Sequence, residues 1–257
     1  MRSADSPADC VWRGSRITVQ ALGILLGLCL LTLRIEPARA AAPLLKPFSA
    51  TYRVHRNIIP LGSLTLSLEL GDDSRYIYRA HTYPGFLAGI FSRNEVLEES
   101  RGQLLAERVE PDMYRYRDQD VSEENTELSF DWGRLTVDTH SRGVTWSQEI
   151  LPGTQDKLSQ QLQVRRHLAE GRTHLIYQVA DGGKLKTYEF MVDGDETLET
   201  PYGSLRCLRV RRSKESAPAD YTIWFAPELD YFPVRIERKQ GDRVYRMELK
   251  SLSLSGD

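Results

Sequence analysis

The chain has 257 residues, 40% of them hydrophobic, with 34 Lys and Arg against 36 Asp and Glu and a formal net charge of −2. That length is ample for a buried core, and the mildly acidic balance excludes a general nucleic-acid binder. Of the three cysteines only Cys207 lies beyond residue 40, so a chain cut there has no intramolecular disulfide and draws its stability from core burial.

Arg2, Arg13 and Arg16 precede an apolar run from Ala21 to Leu33, and the small-residue pattern Ala38-Arg39-Ala40 follows. The run is shorter than the roughly 20 residues that span a bilayer. Leu28 rather than a small residue stands before Cys29, so Cys29 belongs to the run and not to a lipoprotein box. No paired arginines precede the run, and nothing favours the twin-arginine route. We expect residues 1–40 to be a signal peptide, with an uncleaved anchor as the alternative, and residues 41–257 to form one exported domain in the periplasm. No Pro/Gly/Ser-rich linker divides that domain.

Alternation with period two dominates the remainder, placing apolar side chains on one face of a pleated strand. Phe48, Ala50, Tyr52 and Val54 alternate with polar partners, as do Leu64, Leu66, Leu68 and Leu70, and then Tyr76, Tyr78 and Ala80. Pro60-Leu61-Gly62 reads as a turn between the first two. Further strands are predicted at Met113–Arg117, Thr126–Asp131, Leu135–Thr139 and Val144–Ile150, with Trp132-Gly133-Arg134 as a tight connection. Asp156–Ala169 is predicted as the one helix, capped by Asp156, with Leu158, Leu162, Val164 and Leu168 in one apolar arc and Gly171 as its stop. Its expected role is to plug or cover one end of the sheet. Strands then follow at Leu175–Val179, Leu185–Val192, Leu205–Arg212, Tyr221–Phe225, Val234–Arg238 and Tyr245–Leu254, with Asp181-Gly182-Gly183 as a hairpin turn. The fold class is therefore all-β: a strongly curved antiparallel sheet or barrel-like domain of a dozen or more strands, which leaves few edges exposed.

No residue pattern carries an identifiable chemistry. His55, His81, His140, His167 and His174 show no zinc-motif spacing and read as scattered strand or surface side chains, with His167 on the polar face of the helix. There is no Gly-x-Ser-x-Gly elbow, and Cys207 sits mid-strand between Arg206 and Leu208 as a structural thiol, although flanking arginines would lower its pKa. Glu95, Glu98 and Glu99, like Glu123 and Glu124, read as solvated faces. The basic run Arg206, Arg209, Arg211, Arg212 and Lys214 falls on both strand faces and reads as an exposed edge or a set of salt-bridge partners. Aromatic residues are the better clue: Tyr52, Tyr76, Tyr78, Tyr83, Phe86, Phe91, Tyr114, Tyr116, Trp132 and Trp146 concentrate in the first half. A curved sheet can gather several of them on one concave wall, against the alternative of plain core packing. The segment Pro84–Phe91 is too apolar for an ordinary loop and reads as a lid or lip.

Three stretches together resemble a family of exported bacterial proteins known as domain of unknown function 3108. They are Phe48-Ser49-Ala50-Thr51-Tyr52 followed by Gly62, the helix start Gln155–Leu162 with its Asp-x-Leu-Ser pattern, and Tyr221–Ala226 followed by Phe232-Pro233-Val234-Arg235-Ile236. The resemblance spans nearly the whole exported domain and implies an all-β fold with no established activity or catalytic residues.

These readings converge on a non-enzymatic envelope domain that binds an amphipathic component, a lipid, glycolipid or glycan, in the concavity of its sheet. Its ligand-binding side chains are expected to be Phe86, Leu87, Ile90, Phe91, Tyr76 and Tyr78, with no cofactor, metal or catalytic residue. The alternatives are an interaction module that engages another envelope protein through a sheet edge or the basic strand, and a glycan hydrolase using paired carboxylates.

Overall fold

The computed structural model describes residues 45–85, 95–122, 125–214 and 220–254, excepting the side chains of residues 214 and 220; Phe86, Leu87, Ile90 and Phe91, and likewise Glu123 and Glu124, lie outside the described residues. The first half of the domain forms β1 (Phe48–Arg56), β2 (Ile59–Leu70), β3 (Arg75–Pro84), β4 (Val96–Leu104), β5 (Val109–Asp118), β6 (Thr126–Asp131), β7 (Thr136–Ser141) and β8 (Val144–Glu149). A two-residue β9 (Gln155–Asp156) leads into α1 (Ser159–Ala169). The second half forms β10 (His174–Asp181), β11 (Lys184–Thr200), β12 (Gly203–Lys214), β13 (Asp220–Ala226), β14 (Phe232–Gln240) and β15 (Arg243–Leu254).

All fifteen strands make one sheet in the order β8-β7-β6-β5-β4-β3-β2-β1-β15-β14-β13-β12-β11-β10-β9. Two antiparallel meanders are thus joined by the pairing of β1 with β15, from Phe48↔Leu254 to Arg56↔Tyr245. The sheet curves without closing. Beside its open ends, the Trp146 indole N–H on β8 donates to Gly183 O in the β10–β11 turn at 3.3 Å, and Leu151 N–H reaches Gln178 Oε1 on β10 at 3.0 Å.

Alternation holds where it was read: Phe48, Ala50 and Tyr52 of β1, Leu66 and Leu68 of β2, and Tyr76, Tyr78 and Ala80 of β3 are all buried on the concave face. Each such large side chain contributes on the order of 1.5–3 kcal/mol by leaving water. Three local expectations are corrected. Pro60-Leu61-Gly62 is not a turn but the start of β2; the reversal occurs at Asn57, with φ of 53°, and Ile58. Gly62 is needed for another reason, because a Cβ there would lie 2.0 Å from Tyr83 O on the adjoining strand. Val96–Leu104, where the sequence shows only carboxylates and no strand pattern, is β4, paired along both sides with β3 and β5. The helix begins at Ser159, not Asp156, since Asp156 is held in β9 by its pairing with Ala180.

α1 lies against the interior, with eight of its eleven residues buried, among them Gln160, Gln163, Arg165 and Arg166. Leu158 and Leu162 join the larger apolar cluster with Phe48, Tyr78 and Phe232, while Val164 and Leu168 join a second with Phe190, Val210 and Phe225. Polar bonds fasten it to the turns at one end of the strands. Arg166 donates to Leu105 O at 2.7 Å and to Ala106 O, and Gln163 Oε1 accepts from Val109 N–H at 2.5 Å.

Candidate functional site

Between α1 and the concave face lies a cavity of about 350 Å³, within the size range of small-molecule sites. Leu64 and Leu66 of β2, Ile236 of β14 and Met247 of β15 form an apolar wall, and Ile223 and Phe225 of β13 extend it. These positions face inward by the same alternation that builds the core. Three charged groups interrupt the wall.

At one side, Glu98 of β4 accepts bonds from the Tyr114 hydroxyl and from Lys157 Nζ, the latter at 2.9 Å. Burial works against the Lys157 ammonium, but the charge and hydrogen bond of Glu98 outweigh it and hold its pKa above the ordinary lysine value. At the second group, the Arg212 guanidinium lies 3.7 Å from the Tyr221 ring and 4.9 Å from the Tyr188 ring. The Tyr188 hydroxyl and Lys186 Nζ both donate to Asp181 Oδ2 at 2.8 Å, and burial pushes the Tyr188 hydroxyl pKa well up. The third group is Arg165 of α1, between Phe48 and Phe232 with its Cζ 5.3 and 4.8 Å from the two ring centroids.

Of the expected site residues, Tyr78 lines the cavity and donates its hydroxyl to Gln161 Oε1 at 2.9 Å. Tyr76 shares the concave face but not the cavity; its hydroxyl is 2.9 Å from Ser100 Oγ in the packed interior. The aromatic lining comes largely from the second half, through Tyr188, Phe190, Tyr221, Phe225 and Phe232, and not from the first-half residues. Glu98 is no solvated face residue, because β4 turns it inward, whereas Glu99 on the outer face pairs with Arg79 and Arg101, each at 2.7 Å. Glu98 and Asp181 both border the cavity, but each is bonded to a lysine, unlike a glycosidase general acid kept protonated in apolar surroundings.

The basic run on β12 is not an edge, since β11 and β13 flank it. Arg206 pairs with Asp195 at 2.8 Å, and Arg209 and Arg211 pair with Asp193 at 2.9 and 2.7 Å, while Arg212 points into the cavity. Burial raises the Cys207 thiol pKa in spite of nearby arginine, consistent with a structural role. His167 is half-buried, not simply on a polar face. Val109 N–H fixes the Gln163 amide so that its Nε2 donates to His167 Nε2 at 2.6 Å, leaving Nδ1–H to donate to the Tyr177 hydroxyl at 2.8 Å. That arrangement needs neutral imidazole, and burial lowers the His167 pKa to about 4.

Asp156 and Ser159, which carry the Asp-x-Leu-Ser pattern, organise the entry to α1. Asp156 Oδ1 accepts from the N–H groups of Leu158 and Ser159 at 2.7 and 2.8 Å, and Ser159 Oγ accepts from Asp156 N–H at 2.8 Å. The Ser100 hydroxyl donates to Asp156 Oδ2 at 2.6 Å. Among the described residues, no three His, Cys, Asp or Glu side chains gather as a metal site, and no helix is long and apolar enough to cross a membrane.

The fold is similar to that of a β-barrel-like protein of domain of unknown function DUF1849 from Brucella abortus, with a TM-score of 0.55 at 10% identity over 83% of this chain and 99% of that one. At that identity the likeness is one of fold. MucB, solved in complex with MucA(peri), overlaps with a TM-score of only 0.17 at 10% identity over 82% and 94% of the two chains, and carries no argument. No curated protein matches the sequence. The family model for proteins of unknown function DUF3108 matches residues 51–250, and the chain belongs to that family.

Proposed function

We propose that this is a periplasmic domain that binds one amphipathic envelope molecule, a lipid or glycolipid, in the cavity between α1 and the concave face. The observation that carries this reading is the cavity itself: about 350 Å³ with an apolar wall and a few discrete charged groups, the composition of a site that orients a partly apolar ligand. A glycan would need more polar partners on that wall than Leu64, Leu66, Ile236 and Met247 offer. Export is inferred from the residues before Ala41, and the leader is taken to be cleaved.

Native mass spectrometry of the protein released from its own periplasm is expected to show a chain beginning at Ala41 with a small amphipathic molecule bound one to one. Nile red should bind the purified protein, and Met247→Trp, which fills the cavity from β15, should abolish that binding while thermal unfolding stays cooperative. A wild-type protein that binds neither lipid nor Nile red sinks the reading. A copurifying protein in place of the small molecule favours instead the open edge of β8, where Val144 is 59% exposed and no further strand pairs among the described residues.

A further inference from the structure

Arg165 and Arg166 are neighbours on one helix, and both are buried, but they are used differently. Arg166 is engaged by two backbone carbonyls in the β4–β5 turn, which accounts for its position. Arg165 is 5% exposed and has one protein acceptor, Asp230 O, 3.2 Å from Nη2; its Nε and Nη1 are buried without a partner among the described residues. No carboxylate among the described residues forms an ion pair with it, and the flanking Phe48 and Phe232 rings offer only weak compensation. A buried guanidinium left in this state is costly, and the free volume it faces is the cavity. Of the other cations there, Lys157 is engaged by Glu98, and Arg212, held against two tyrosine rings at the far end, leaves its Nε buried without a partner, against two such nitrogens on Arg165.

The cavity's shape supplies the rest. Phe232, beside Arg165, opens β14, whereas Arg212 and Tyr221 are in register with Arg238, six residues further along the same strand. At a rise of about 3.3 Å per residue that is roughly 20 Å, with Ile236 and Met247 between the two ends. Resting on the amphiphile-binding reading above, we propose that the ligand is a single-chain amphiphile with an anionic head, a carboxylate or phosphate monoester, seated head-inward on the unpartnered N–H groups of Arg165 with its chain along the wall of Leu64, Leu66, Ile236 and Met247.

The test is competition against Nile red on the full-length protein with four probes: palmitate, hexadecyl phosphate, hexadecanol and inorganic phosphate. The expected result is that the better of the two anionic amphiphiles binds about tenfold or more tightly than hexadecanol, the range expected of charge-assisted hydrogen bonds. Inorganic phosphate should fail to compete. The ranking of palmitate against hexadecyl phosphate names the head. Arg165→Met should bring the anion-to-alcohol ratio close to one, and Arg165→Lys should keep part of it. Equal affinity of the wild type for acid and alcohol overturns this inference while leaving the amphiphile reading intact; binding of neither overturns both. Competition by inorganic phosphate shows a small-anion site instead. Should Arg165→Met fail to fold, the wild-type acid-to-alcohol ratio still decides the matter.

Discussion

Asp156 illustrates how one residue can be both a local organiser and a pH-sensitive liability. It is fully buried, and burial raises its carboxyl pKa from 3.8 to about 6 against the lowering effect of bonds from Ser100, Ser159 and Leu158. The folded protein therefore holds this proton more tightly than the unfolded chain does. The stability attached to the protonated form is present in full below about pH 3.8 and is lost as pH rises through about 6, a difference on the order of 3 kcal/mol. Asp156→Asn removes the titration yet keeps an acceptor for the Leu158 and Ser159 N–H groups, and Ser100 Oγ is free to accept from the amide while donating to the Tyr76 hydroxyl. Denaturant unfolding at pH 4 and pH 8 should show Asp156→Asn gaining on wild type at the higher pH. Asp156→Ala should instead be less stable than Asp156→Asn at both, by about 1–3 kcal/mol, because it strands the helix-entry donors. A wild-type to Asn difference that does not change with pH contradicts the account.

At the scale of elements, α1 departs most from what an isolated amphipathic helix would be. Its sequence predicts one apolar arc opposite a polar face, but both sides are buried, one against each apolar cluster. Gln163, Arg165 and Arg166 are buried with it because the turns after β4 and before β14 bring carbonyls and an N–H to meet them. Leu162 is fully buried in the larger cluster at the centre of this element. Leu162→Ala should destabilise the domain by about 2–5 kcal/mol, read by urea unfolding. If α1 were a removable lid rather than part of the core, the midpoint would hardly move and α1 amides would exchange freely while sheet amides stayed protected.

For the whole molecule, the sheet's incomplete closure places a test at the seam. Gly183 has a φ of 72°, and a Cβ there would lie 2.4 Å from Cζ2 of Trp146. Gly183→Ala combines an unfavourable backbone conformation with overpacking, each costing about 1 kcal/mol or more. Its effect should be confined: hydrogen exchange should accelerate in β8 and in the β10–β11 turn, with the β1–β15 pairing unaffected. Uniform acceleration over all fifteen strands would mean that the seam is as integral to the fold as any ladder.

The all-β class, most strand positions, the helix α1 and the family were legible in the sequence because each rests on local regularities. Alternation is a property of neighbours along the chain, so Phe48 to Val54 or Leu64 to Leu70 declare a strand whatever lies beside them. β4 declared nothing, since Val96 to Leu104 lacks that alternation and is a strand by virtue of β3 and β5 on either side. The pairing of β1 with β15 joins residues about two hundred positions apart and follows no local signal. Of the residues expected at a ligand site, Tyr78 is the one among the described residues that lines the cavity. Glu98, Lys157, Arg165 and Arg212 are ordinary charged residues in the chain, and what makes them a site is burial around a common cavity. Local pattern tells which face a side chain takes, but the cost of a buried charge and the presence of its partner depend on groups brought from elsewhere, and so the tertiary structure alone decided that Arg166 meets two carbonyls and leaves one nitrogen unbonded while Arg165 meets one carbonyl and leaves two.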